Sequence, residues 1–240
     1  MEVPELLRGA VYVAKGDDVL VEVYRGVADA RSGARCDAST RFQISSISKQ
    51  FVAASILLLA NRGSISVDDP VGAWFGSSPQ TWDSISIANL MTHTAGLGHW
   101  PDYPEIDPAR SISDAAFVAA VQQRGLPTEL PAPHLYSSPG YGLLARIVEQ
   151  ASGLSYPQFI AENIFGPLDR NETFVGNAND ESHLARGFLG DDARQSWELD
   201  ATSKGAGDIY ESTDVLTPAI RLLEAVAAQP SSNIGAINLS

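Results

Sequence analysis

Cysteine and lysine are the scarce residues of this chain: Cys36 stands alone, and Lys15, Lys49 and Lys204 are the only lysines. A lone cysteine excludes an internal disulfide and fits a reducing compartment. Positive charge is scarce as a whole, and the formal net charge is −13. That balance argues against nucleic acid and anionic membrane surfaces as partners, because both are held by basic patches. No run of about 20 apolar residues is present, so no membrane-spanning helix is predicted. The opening residues, MEVPELLRG, carry acidic groups and lack an apolar centre, unlike a secretory signal. With the lone thiol, this sets a cytoplasmic expectation. The histidines at 93, 99, 134 and 183 show no His-Glu-x-x-His or Cys/His spacing, so no metal site is expected. No glycine-rich loop has phosphate-binding spacing, and no cofactor is expected. Gly-x-Ser-x-Gly is absent, which excludes the nucleophile elbow of an α/β-hydrolase.

What is present describes a globular enzyme-sized chain. At 240 residues and 44% hydrophobic content it can bury a full core as one large domain or two interleaved lobes. Residues 10–14 and 19–24 are β-rich runs joined by Lys15-Gly16-Asp17-Asp18, a hairpin signal. After residue 45 the pattern becomes helical. Ser113 is placed to cap a helix over 114–124 that Gly125 stops. Leu143, Leu144, Ile147, Val148 and Ala151 form an apolar stripe on a helix ending at Gly153. Pro157 suits the first position of a helix reaching about Ile164, and 213–228 is a last helical candidate. Pro/Gly-rich loops at 99–108 and 126–140 separate these elements. Trp74, Trp82, Trp100 and Trp197 read as core or cleft-wall aromatics, with Trp100 the one expected to touch substrate.

Chemistry enters at Ser46-Ile47-Ser48-Lys49. The run FVAASILLLA over 51–60, closed by Gly63, predicts a buried helix of about four turns over 46–62. Ser46 and Lys49 then lie at i and i+3 on one face. In the first turn, unpaired backbone N–H groups and the positive end of the helix dipole favour a developing oxyanion. A lysine held in apolar surroundings loses its proton more readily and can act as a base. A serine three residues before a lysine also arises by chance. Here only Lys49 among the three lysines has one, and a lysine on so apolar a helix is costly to bury without a partner.

Phe42-Gln43-Ile44-Ser45-Ser46-Ile47-Ser48-Lys49-Gln50-Phe51 resembles the first active-site box of serine β-lactamases and penicillin-binding proteins. The likeness is strongest to the class C branch, which includes D-aminopeptidases, D-alanyl-D-alanine carboxypeptidases and β-lactamase-like esterases. It continues through Gly63-Ser64-Ile65-Ser66-Val67-Asp68-Asp69-Pro70, Leu90-Met91-Thr92-His93-Thr94-Ala95-Gly96-Leu97 and Tyr136-Ser137-Ser138-Pro139-Gly140-Tyr141. Ile164-Phe165-Gly166-Pro167-Leu168 and Gly205-Ala206-Gly207, followed by Ser212-Thr213-Asp214, complete the series in family order. The resemblance implies that Ser46 is the nucleophile of an acyl-enzyme, Lys49 its partner and base, and Tyr136 a proton shuttle. A phenol is a poor base near pH 7 unless a cation lowers its pKa, which Lys49 is able to do.

Two departures accompany the matches. The second box ordinarily reads Tyr-x-Asn, and Ser138 stands at the asparagine position as a shorter substrate-binding group. This bears more on β-lactam turnover than on ester cleavage. The third box, Lys/His-Thr/Ser-Gly, has no acceptable match after Tyr136, and family members usually continue well beyond the length of this sequence. The expected fold is therefore α/β (α+β), of the serine β-lactamase/transpeptidase type. An antiparallel sheet begun by the N-terminal hairpin would pack on a large helical lobe, with C-terminal strands missing. Residues 1–45 are expected to form the hairpin part, 46–205 the helical lobe and 206–240 a segment returning to the sheet. The expected activity is that of a serine hydrolase acting through an acyl-enzyme on an ester, a D-amino-acid amide or a β-lactam, small-molecule or peptide, without nucleic acid. The alternative is an impaired homologue that binds or is inactive. Exposed sheet edges make a homo-oligomer completing the sheet a natural expectation.

Overall fold

The computed structural model describes residues 8–16, 18–107, 111–125, 132–168, 173–176, 183–187 and 204–212. Its strands are antiparallel. β1 (Gly9–Lys15) and β2 (Asp18–Arg25) form the hairpin, pairing from Gly9 opposite Arg25 to Lys15 opposite Asp18 with a one-residue register shift between Val13 and Ala14. β3 (Val27–Asp29) pairs with β4 (Ala34–Arg35). A third ladder joins distant parts of the chain: β7 (Ile209–Glu211) lies between β5 (Phe42–Gln43) and β6 (Phe174–Val175). This short ladder matters most for the site, because it brings residues 204–212 against the turn that carries Ser46.

The helical lobe follows its sequence signals closely. α1 (Lys49–Asn61) is buried along most of its length, and Gly63 ends it at φ 73°. The expected helix began at Ser46; instead a 3₁₀ turn over Ser45–Ser48 precedes the regular helix. The reason is local. Ser45 enters with φ 47°, and a left-handed residue at that point tightens the first turn rather than extending it. α2 (Ile87–Met91) opens on a Ser86–Asn89 capping box. α3 (Asp114–Arg124) runs between Ser113, which accepts from the Ala116 N–H, and Gly125. α4 (Ser138–Ser152) ends at the left-handed Gly153 and buries Leu143, Leu144, Ile147 and Val148 completely. α5 (Tyr156–Ile160) starts one residue before Pro157 and passes into a wider π turn over Ala161–Phe165. The helical candidate over 213–228 lies outside the described residues.

α1 and α4 pack directly on each other and form the centre of one hydrophobic core, joined by Phe117, Trp82, Tyr156 and Phe159. Each such fully buried side chain contributes roughly 1.5–3 kcal/mol relative to exposure. Trp82 is core, Trp74 and Trp100 pack at its edge, and Trp197 lies outside the described residues. No helix among the described residues is long and apolar enough to cross a membrane.

Gly205 is where the third ladder meets this helix pair. A Cβ on it would stand 2.7 Å from the Ala145 Cβ and 3.0 Å from Val52 Cγ2, and its φ is +72°. Overpacking and a left-handed alanine together should make Gly205→Ala destabilising by about 2–4 kcal/mol. Equilibrium denaturation of the variant beside wild type measures this, and an unchanged midpoint would mean that the turn at 205 does not press on α1 and α4.

Candidate active site

The turn over Ser45–Ser48 presents Ser46 and Ile47 at the surface, and the chain then enters the core with Ser48 and Lys49, both buried. Lys49, only 6% exposed, reaches back along its own helix and donates to Ser46 Oγ at 3.1 Å. The same Nζ donates to the Ala206 carbonyl at 2.9 Å, a contact across 157 residues. From the opposite side the Tyr136 hydroxyl donates to Ser46 Oγ at 2.8 Å. The Lys49 ammonium lies 5.0 Å from the Tyr136 ring centroid and 5.7 Å from that of Tyr141. One serine oxygen is thus contacted by both groups able to move its proton.

Electrostatics bring these two groups closer in proton affinity. Burial holds Lys49 below the ordinary lysine value, against the opposing pull of Tyr136 and the negative charge of Asp208. Burial pushes Tyr136 upward, but its bonds with Lys49 and Ser46, the lysine charge and a bond with Ser138 outweigh this and hold the phenol below its ordinary value. An amine and a phenol drawn toward each other exchange a proton at lower cost than the free side chains would.

The segment at 204–208 forms the back wall. Gly205 N–H donates to Asp208 Oδ1 at 3.0 Å and closes a tight turn. That turn aims the Ala206 carbonyl at Lys49 and the Gly207 carbonyl at Gln43 Nε2, 3.0 Å away. Ile209 N–H donates to Ser48 Oγ at 3.2 Å, and Ile44 N–H to the Ile209 carbonyl at 3.0 Å. The Ser46 turn is therefore stitched on both sides to a strand far away in sequence. Asp208 itself is buried, and burial drives its carboxyl up to about 7 despite the Gly205 N–H, Lys204 and Arg146.

Of the residues singled out from sequence, the structure brings Ser46, Lys49 and Tyr136 into one hydrogen-bonded cluster. Ser138 is buried at the N-terminus of α4, and its backbone N–H donates to His99 Nδ1 at 3.4 Å. Trp100 sits in a short turn (Trp100–Asp102), with its ring 5.9 Å from His99 and its indole against the core. Asp208 and the pair His93 and His99 were not assigned any part in this chemistry from sequence. The histidines flank Tyr136, with ring centroids 4.6 and 5.3 Å from it. Asp208 gave no local signal; its place beside Lys49 arises only through β7. A cleft of about 520 Å³ between Trp74, Phe75, Val118, Gln122, Arg146 and Glu149 shares no residue with the cluster.

The family model described as Beta-lactamase matches residues 4–232. The chain belongs to the beta-lactamase family. It is 32% identical over 205 residues to penicillin-binding protein 4* of Bacillus subtilis (strain 168), covering 80% of this chain and 44% of that protein. It is 27% identical over 190 residues to the teichoic acid D-alanine hydrolase of Staphylococcus aureus, covering 76% of this chain and 45% of that one. Its fold matches the D-amino acid amidase of Ochrobactrum anthropi SV3 with a TM-score of 0.71 at 23% identity, covering 88% and 62% of the two chains. The chain spans about half the length of the curated relatives it matches. The family match and the fold likeness thus place this chain on a beta-lactamase-family scaffold of mixed helix and antiparallel sheet.

The buried Asp208 makes a testable contribution to stability. Its value is raised from 3.8 to about 7, so the folded state binds a proton more tightly than the unfolded chain does. The associated stability is fully present below about pH 4 and is lost as pH rises through about 7. Asp208→Asn retains an acceptor for Gly205 N–H and cannot titrate. Relative to the variant, wild type should lose on the order of a few kcal/mol between pH 4 and pH 8. Parallel stability-versus-pH curves from denaturant melts would show that the carboxyl does not titrate in this way.

Proposed function

We propose that this protein is a serine hydrolase that forms an acyl-enzyme on Ser46, acting on esters or amides of D-amino acids. The observation that carries the reading is the convergence of Lys49 Nζ and Tyr136 hydroxyl on Ser46 Oγ, at 3.1 and 2.8 Å. With Lys49 neutral, its nitrogen accepts the Ser46 proton as Oγ attacks the substrate carbonyl carbon. The carbonyl oxygen takes up the negative charge, close to the N–H groups at the start of α1. Collapse of that intermediate breaks the bond to the alcohol or amine, and Tyr136 supplies the proton that the leaving group needs. Lys49 reprotonates Tyr136. Water, deprotonated through the same pair, then attacks the acyl carbon, releases the acid and restores Ser46.

The substrate class rests on two supports. Relatives of this chain include a teichoic acid D-alanine hydrolase, and its fold matches that of a D-amino acid amidase. Ser138, where the family's second box has an asparagine, is buried at the start of α4, and its hydroxyl has a shorter reach to a substrate carbonyl than an amide, which bears more on β-lactam turnover than on cleavage of an ester. Ile47 and Leu135, beside Ser46 and Tyr136, are 45% and 43% exposed and give the mouth of the site an apolar rim.

Intact-mass spectrometry after exposure to a fluorophosphonate, a penicillin and an activated D-alanyl ester tests the reading. Wild type should gain one adduct per chain with the fluorophosphonate and turn over the ester, and Ser46→Ala should do neither. Lys49→Met and Tyr136→Phe should slow acylation by about 10²–10⁴-fold, the range for loss of a positioned acid or base. Folded wild-type protein that acquires no adduct from any of the three probes would overturn the assignment.

A further inference from the structure

Tyr136 sits in a segment that gives its backbone hydrogen bonds to one other stretch, residues 93–99. Ala132 N–H donates to the Thr94 carbonyl at 3.1 Å and Leu135 N–H to the His93 carbonyl at 2.8 Å. Ser137 Oγ donates to the Gly98 carbonyl at 2.8 Å. The two N–H groups that follow Tyr136 go to side chains instead: Ser137 N–H to His93 Nδ1 at 3.2 Å, and Ser138 N–H to His99 Nδ1 at 3.4 Å. The same two imidazoles hold the phenol ring between them, His93 tilted at 42° and His99 edge-on at 74°.

A backbone N–H only donates, so each Nδ1 must be an unprotonated acceptor and each ring must carry its proton on Nε2. Two histidines thus have one tautomer imposed on them by the chain they hold. His93 is held at φ 59°, in the left-handed region that few residues other than glycine and asparagine enter. A phenylalanine or leucine there would be disfavoured in backbone conformation as well as lacking the acceptor.

We infer that His93 and His99 are positioning residues for Tyr136, two neutral imidazoles that fix the backbone after it and clamp its ring so that the hydroxyl stays on Ser46. The inference rests on the proposed role of Tyr136. Protonating either Nδ1 would set two donors face to face and open the clamp. The surroundings oppose that. His93 faces His134, Tyr141, His99 and Lys49, and burial first, with the Lys49 charge and the neighbouring imidazoles adding to it, brings it down to about 4. His99 faces Trp100, Lys49 and Asp102; burial and Lys49 lower it, and the Asp102 charge only partly offsets this.

The test uses the whole chain in three variants, each checked for folding by circular dichroism. His99→Phe keeps a ring and removes the acceptor, His99→Gln keeps an acceptor on a flexible side chain, and His93→Asn keeps both an acceptor and tolerance of positive φ. Two readouts are taken: the fluorophosphonate acylation rate, and the pH titration of the Tyr136 ring carbon in ¹³C-tyrosine protein, assigned with Tyr136→Phe. His99→Phe should lose about 10²-fold in acylation, the scale of a misplacement near 1 Å. Its Tyr136 titration should move up toward the ordinary value of about 10. His99→Gln and His93→Asn should fall between it and wild type on both measures. Wild-type rates together with an unmoved Tyr136 titration in all three folded variants would overturn the inference. A shifted titration in protein whose wild type forms no adduct would sustain the clamp while removing the hydrolase reading, so the two fail separately.

Discussion

A buried lysine ammonium is the constraint around which this structure is arranged. Lys49 lies on a strongly apolar, largely buried helix, where an unpaired charge would be untenable. It is satisfied by one carbonyl from a distant turn, by the serine one helical turn before it and by two aromatic faces. Each of those partners is in turn held by something else. The Ala206 carbonyl depends on the Gly205–Asp208 turn, and that turn depends on the close approach of Gly205 to α1 and α4. Fixing one charge thus fixes the relation between the small sheet and the helical lobe.

The same arrangement tunes proton affinities in opposite directions within a small volume. Burial depresses Lys49, and the lysine in turn depresses Tyr136. The two histidines beside Tyr136 are kept neutral by burial and by that same lysine. Asp208 is raised by its own burial and counteracts part of the effect on Lys49. The site therefore combines one cation of lowered affinity with neutral acceptors and a carboxyl near its titration point. Such clustering of displaced values is typical of places where protons are transferred.

Local signals in the sequence were read well where the physics is local. Ser113 with Gly125, and Gly153 after the stripe at 143–151, mark helix ends because capping and left-handed glycine act within one turn. Ser46 and Lys49 share a face for the same reason. The apolar run predicts α1 from Ser46, three residues before its regular start at Lys49, because nothing in a serine signals the left-handed Ser45 that opens the 3₁₀ turn. The histidines were weighed as metal ligands by their spacing, but their role as acceptors for the chain at 137–138 depends on packing between segments about 40 residues apart.

The sequence by itself determined the family, the helices α1, α3, α4 and α5, the serine–lysine pair and the identity of the tyrosine, because each is encoded in short motifs or in i, i+3 and i, i+4 spacing. Only the tertiary structure decided which carbonyl receives the lysine, which carboxyl is buried beside it and which rings hold the tyrosine. The hydrogen bonds from Lys49 to Ala206, from Tyr136 to Ser46 and from Ser138 to His99 join residues 157, 90 and 39 positions apart, and no local propensity fixes them. They follow from β7 entering between β5 and β6 and from the need to satisfy every polar group that α1 carries into the core.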